Sequence, residues 1–158
     1  MALPGAFSGR SRRSSKAKRF FTLGIFAQMA SFGKQVADFK KKAIVATEEL
    51  SRAVTLELFS SVISDSPVDS GMFRGNWFAS SKSPDVQTTD NIRSESQVIA
   101  DAANVVSDFK LNDTLYLTNS LPYGPRLEYE GWSKRKAPEG MVRINVQRIA
   151  ANLNSRTN

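Results

Sequence analysis

KQVADFKKKAIVATEELSRAVTLELFSSVI, residues 34–63, holds neither glycine nor proline, and its apolar residues return at Val36, Phe39, Ala43, Ala46, Leu50, Ala53 or Val54, Leu58 and Val62. Steps of three and four place these on one stripe of an α-helix. At 1.5 Å per residue the helix is about 45 Å long, more than one small body can cover. Leu56 and Phe59 lie off the stripe and widen the apolar surface. Either the core face is broad or part of the helix meets another chain.

Working outward, Ser66-Pro67-Val68-Asp69-Ser70-Gly71 ends this helix, because Pro67 biases its predecessor away from helical geometry and Asp-Ser-Gly supplies turn chemistry. The aromatic-rich stretch Met72–Ser80 predicts a strand, with Gly75 where another backbone or a large ring approaches. Residues 81–93, rich in Ser, Pro, Asp, Thr and Asn, read as a loop. Ser94 followed by Gln97 forms a capping box for a second helix over Glu95–Phe109, with Val98, Ala102, Val105 and Phe109 on one face. Leu115–Asn119 reads as a short strand after the Asn112-Asp113 turn. Pro122 and Pro125 confine Leu121–Arg126 to a turn, and Leu127-Glu128-Tyr129 is a short element facing the core. Pro138 opens a last helix carrying Val142, Val146, Ile149 and Leu153 on one face. Alternation of Val142, Ile144 and Val146 leaves a strand start as the alternative.

The chain has 158 residues, 41% of them hydrophobic and 23% charged, which suits one domain with one core. It contains no cysteine and no histidine. Thiolate nucleophiles, disulfides, imidazole acid–base chemistry and zinc sites built on Cys or His are therefore excluded. The net charge of +7 is unevenly spread. Residues 1–42 hold ten Lys or Arg against the single acid Asp38, whereas the remaining 116 residues hold twelve bases and fourteen acids. The basic signal is an N-terminal arm, residues 1–28, with Arg10, Arg12, Arg13, Lys16, Lys18 and Arg19. Such an arm neutralises phosphates or docks on an acidic protein surface. Its basic run before Phe20–Ala27 mimics a secretory signal, but the apolar run is short and Gln28 interrupts it. Met29-Ala30-Ser31 has the look of a second start. No apolar run approaches the length of a membrane span.

Asp69, Glu128 and Glu130 are the acids that sit beside turn and aromatic residues, yet no spacing here matches a metal loop. A half-buried arginine needs a bidentate carboxylate, which makes Arg74 and Glu128 a candidate pair. Asp69 is expected to cap the Ser70-Gly71 turn through its side-chain oxygen. The glycines form no phosphate cradle or nucleophile elbow. Trp77, Tyr116, Tyr123, Tyr129 and Trp132 lie in the acid-leaning body, away from the basic arm, which favours core and interface roles over base stacking. Trp132, in the polar stretch Glu130–Lys136, reads as an interface anchor.

Taken in order, the motifs Ser66–Gly71, Phe73-Arg74-Gly75-Asn76-Trp77, Leu117-Thr118-Asn119 with Leu121-Pro122-Tyr123, Leu127-Glu128-Tyr129 with Gly131-Trp132-Ser133, and Ala137-Pro138 with Gly140–Arg143 resemble the neck or tail-completion proteins of long-tailed bacteriophages. The resemblance spans residues 29–150, between the arm and a C-terminal tail at 151–158. It implies an α+β fold: a long N-terminal helix and a small twisted antiparallel sheet with helices packed on it, in agreement with the elements above. It implies a virion protein assembled in the host cytoplasm. Copies form a ring, commonly a hexamer, between the head-to-tail connector or stopper protein and the tail terminator or tail tube protein, around a channel for genomic DNA. It implies neither catalysis nor a cofactor nor a membrane. The expected structural and interface residues are Asp69, Gly71, Arg74, Asn76, Trp77, Asn119, Tyr123, Glu128, Tyr129 and Trp132, with residues 81–93 and 131–138 as interface loops. Two departures stand out: Ser70 where the family often has threonine, and Glu130 where it often has glycine. The rival reading from charge alone is a nucleic-acid-binding protein with a basic N-terminal arm, and behind it a carboxylate-dependent nuclease.

Overall fold

A computed structural model describes the backbone of residues 14–134 and 136–157, and the side chains of residues 31–134 and 136–155. By its internal contacts the chain divides into residues 1–43 and residues 44–158. The fold is α+β, in the order α1 (Ser14–Asp65), α2 (Met72–Gly75), β1 (Phe78–Ser81), α3 (Glu95–Ser107), β2 (Leu115–Thr118), α4 (Gly124–Tyr129) and α5 (Val142–Thr157). Helix α1 thus begins twenty residues before the predicted start at Lys34, and α5 runs on through residues 151–157.

In residues 31–43 the described side chains are all exposed. From residue 44 onward α1 turns Phe59, Val62 and Ile63 into the core, where they meet Phe73, Trp77, Val98, Ala102, Val106, Leu127 and Met141. The apolar residues of the sequence stripe therefore divide. Leu50 is 56% exposed while Val62 is 2% exposed, and Phe59, placed off the stripe, is buried. Strands β1 and β2 pair antiparallel in the register Phe78↔Thr118 through Ser81↔Leu115 and pack with α1 and α3.

Four local expectations are corrected. Met72–Ser80 is not one strand: its first half is the single helical turn α2, and only Phe78–Ser81 is extended. Gly71, at φ +90°, redirects the chain, and Gly75 N–H then bonds Gly71 C=O at 2.9 Å. Aromatic content had signalled burial there, not period. Helix α3 carries the predicted capping box, but Val106 rather than Val105 is its deeply buried valine, and it ends two residues before Phe109. The 121–126 segment is not all turn: α4 starts at Gly124-Pro125 and faces Leu127 and Glu128 inward, leaving Tyr129 exposed. Helix α5 begins at Val142 instead of at Pro138, which removes the strand alternative, and its buried residues are Asn145 and Ile149, in line with Met141 just before it, instead of Val146.

Candidate docking cleft and its frame

Residues 67–71 of the turn, with Met72 and Phe73 of α2, form one wall of a cleft of about 400 Å³, and Tyr123, Leu127, Trp132 and Ser133 form the other. An aromatic ladder runs from the core into the cleft. Trp77 meets Phe73 edge-on with centroids 5.8 Å apart, Phe73 meets Tyr123 at 5.7 Å, and Tyr123 meets Trp132 at 6.4 Å. The ladder leads from a buried ring, Trp77, to one that is 59% exposed, Trp132. Burial raises the Tyr123 pKa above that of an ordinary phenol, so it stays protonated at neutral pH. Arg126 lies over the Trp132 ring at 5.5 Å, and Arg143 over Tyr129 at 5.0 Å.

The two inner rungs are anchored by hydrogen bonds. Trp77 Nε1–H donates to Ser66 Oγ at 2.7 Å, and that hydroxyl donates to Val62 C=O at 2.8 Å, tying the ladder to the end of α1. Asn119 Nδ2 donates to Phe73 C=O at 2.8 Å while its Oδ1 accepts from Leu121 N–H. Buried Asn76 donates to Met72 C=O and Thr89 C=O, both at 2.9 Å, and accepts from Thr89 N–H at 2.8 Å. The 81–93 loop is further pinned by Arg93, which donates to Gly75 C=O at 2.8 Å and Trp77 C=O at 2.7 Å and reaches Asp101 at 2.9 Å. A Cβ on Gly75 would stand 3.1 Å from the Arg93 backbone, the close approach its glycine predicts.

The predicted Arg74–Glu128 pair does not form. Arg74 pairs with Glu95 at 2.6 Å and donates to Ser64 C=O and Ser66 C=O at 3.2 Å each, while Ser64 Oγ donates to the other Glu95 oxygen at 2.6 Å. One cation so satisfies carbonyls at the end of α1 and the carboxylate in the first turn of α3. Glu128 instead accepts the N–H groups of Met141, Val142 and Arg143 at 2.8, 3.0 and 2.9 Å, together with Arg143 Nε at 3.3 Å. Burial opposes ionisation of this carboxyl, but these donors outweigh it and hold its pKa below the ordinary glutamate value. Nor does Asp69 supply the side-chain bond of its turn; Ser70 Oγ accepts from Met72 N–H at 3.3 Å. Gly71 serves through its positive φ, with Ile92 against the position of a Cβ.

The structure places Asp69, Gly71, Tyr123 and Trp132 around one cleft and bonds Asn76, Trp77 and Asn119 into its frame; Ser66, Arg93, Glu95 and Arg143 were not among the expected site residues. The place of Glu95 in the first turn of α3, just after Ser94, was visible; its arginine partner, twenty-one residues away, was not. Arg10, Arg12 and Arg13 lie outside the described residues, as do the side chains of Lys16, Lys18 and Arg19. Among the described residues no three acids come together as a metal site, and no helix is long and apolar enough to cross a membrane. No family model, curated protein or solved structure matches the chain.

Proposed function

We propose that this chain is a structural adaptor of a phage neck: copies assemble into a ring, commonly of six, that joins the head connector or stopper protein to the tail terminator or tail tube protein around the genomic DNA. The observation that supports it is the surface beside the cleft. Tyr129 and Trp132 are 69% and 59% exposed, each with an arginine across its ring, on a frame fixed by buried hydrogen bonds. Tryptophan, tyrosine and arginine around a concavity are the residue types that dominate binding energy at protein interfaces. A rigid presentation lowers the ordering cost of docking, and repetition around a ring turns modest contacts into a firm junction.

Trp132→Ala tests this. The exposed ring contributes little to the monomer, so the melting temperature is expected to stay within about 2 °C of the parent chain. Ring formation, followed by native mass spectrometry and negative-stain imaging, is expected to be lost. Particles carrying the variant are expected to accumulate as separate heads and tails. Intact rings and joined particles with Trp132→Ala would refute the cleft as the docking surface. A chain that never forms rings and shifts DNA mobility as a monomer would favour the nucleic-acid-binding reading.

A further inference from the structure

We infer that in the free protein β2 pairs with β2 of a second copy, antiparallel and centred on Tyr116, so that two two-stranded sheets become one of four strands. The ladder between β1 and β2 fixes which backbone groups are left open. Its register sets Ser80 against Tyr116 and Ser81 against Leu115, and just past the strands Lys82 N–H donates to Thr114 C=O at 3.2 Å. Hydrogen-bonded and non-hydrogen-bonded pairs alternate along an antiparallel ladder, so Thr114, Tyr116 and Thr118 turn their N–H and C=O groups toward β1, and Leu115 and Leu117 turn theirs away. Among the described residues nothing bonds these outward groups. The other edge of the sheet is closed: α3 packs against β1, and Arg93 donates to Trp77 C=O, just before that strand, at 2.7 Å. Natural sheets guard an open edge with lysine, proline or a bulge, and Leu115–Thr118 has none of these. Two strands alone are marginal, and a further strand on the open side completes the sheet.

The sequence selects the occupant. Thr114-Leu115-Tyr116-Leu117-Thr118 reads the same in both directions. Turned about Tyr116, it meets itself with every position matched: Leu115 opposite the second copy's Leu117, Tyr116 opposite Tyr116, and Thr114 opposite Thr118. The parity agrees as well. The leucines carry the outward N–H and C=O groups, so each Leu115–Leu117 pair exchanges both N–H···O bonds, and the Tyr116 pair falls at the closer, non-hydrogen-bonded position. Opposite residues of a ladder share a face. Leu115 and Leu117, which pack on the core, therefore continue one apolar face across the junction, while tyrosines and threonines meet on the other. No residue from Thr114 to Asn119 is charged, so no like charges are brought together. A slip of one residue would set leucine against tyrosine and turn core-facing side chains outward. An isologous pair closes at two copies, so it describes the chain before it enters a ring. The inference goes beyond the adaptor reading and uses an edge other than the Trp132 cleft.

The chain has no cysteine, so single introduced cysteines report geometry cleanly. In this pair the two copies' residues 116 lie about 4.5 Å apart at Cα, within disulfide reach, whereas their residues 118 are about 14 Å apart along the strands. Under mild oxidation full-length Tyr116→Cys is expected to give a covalent dimer by itself, and Thr118→Cys to give one only when mixed with Thr114→Cys. Cross-linking of Thr118→Cys alone would mean parallel strands and overturn the inference, as would a dimer in which Tyr116→Cys stays unlinked. A chain that sediments as a 17.4 kDa monomer, with no cross-link in any mixture, would overturn it too and leave the edge to a strand of another protein. Tyr116→Lys and Tyr116→Glu set like charges opposite each other, and each is expected to raise the dimer Kd roughly tenfold, while an equimolar mixture of the two returns close to the parent value; failure of the mixture to recover counts against the pairing at Tyr116. Repeated in Trp132→Ala, the cross-links are expected to be unchanged, so loss of the pair and loss of ring docking are read separately.

Discussion

Glu128→Gln isolates a charge from a shape. The glutamate is 7% exposed, and one of its oxygens receives two backbone N–H groups while the other receives a third together with Arg143 Nε. In the glutamine, one oxygen becomes an NH₂ that faces donors, so at least one N–H at the start of α5 loses its acceptor and the rest lose charge assistance. Hydrogen bonds to a charged group are worth about 1.5–3 kcal/mol, and a buried donor left unpaired costs a similar amount. Arg143 is half exposed and adds less. A net loss of about 2–3 kcal/mol is expected, which for a chain of this size lowers the melting temperature by roughly 5–10 °C at pH 7. The pH dependence has a definite sign. The folded-state pKa lies below the unfolded value of 4.5, so the stabilisation is fully present above about pH 4.5 and disappears as the pH falls through the folded value. Thermal melts of both proteins from pH 7 to pH 3 are expected to converge at the acid end. A difference under 2 °C at pH 7, or one that stays constant across the titration, would refute the assignment of the α5 cap to this carboxylate.

A double-mutant cycle of Arg74→Ala with Glu95→Gln is expected to give a coupling of about 1 kcal/mol in denaturant unfolding, modest because Glu95 is partly exposed. The cycle of Arg74→Ala with Glu128→Gln should be additive, and strong coupling there would restore the pairing that the sequence suggested. Trp77→Phe keeps the ring stack but removes the Nε1–H donated to Ser66 Oγ. It is expected to cost about 1–2 kcal/mol, and Ser66→Ala is expected to make the second substitution nearly silent; full additivity of the two would show that this bond does not join the ladder to α1.

Elements set by local chemistry were legible. Ser94 and Gln97 lie three residues apart and cap their own helix, and Asn112, at φ +80°, turns the chain into β2. The errors arose where a distant group decided the outcome. Pro138 carries a helix-start signal, but Glu128 gathers the N–H groups of residues 141–143 and so places the first turn of α5 there, ten or more residues along the chain from itself. The alternation of Val142, Ile144 and Val146 is a period without consequence, because polar Asn145 takes the buried position and bonds Asp65 and Met141 C=O at 2.8 Å each. A hydrophobicity pattern cannot show that an asparagine is the residue facing inward.

The two misassigned ions share one physical reason, and it bears on the surface proposed to dock. Complementary charge alone would allow Arg74 and Glu128 to pair, but each is held by backbone groups that no other partner satisfies: Arg74 by carbonyls where α1 ends, Glu128 by the N–H groups where α5 starts. A buried ion gains more from several fixed dipoles than from one mobile counter-ion, because the dipoles are already ordered by their helix. Helix ends therefore act as the sockets of this fold. Glu128 lies between the buried Leu127, which lines the cleft, and the exposed Tyr129, whose ring carries Arg143. The carboxylate that starts α5 thus also sets the orientation of the α4 aromatic surface. Discharging it is expected to loosen Tyr129 and Arg143 together, so that Glu128→Gln weakens docking at pH 7 even where enough folded protein remains. Unaltered ring assembly by the folded fraction of that variant would separate the cap from the surface and remove this link.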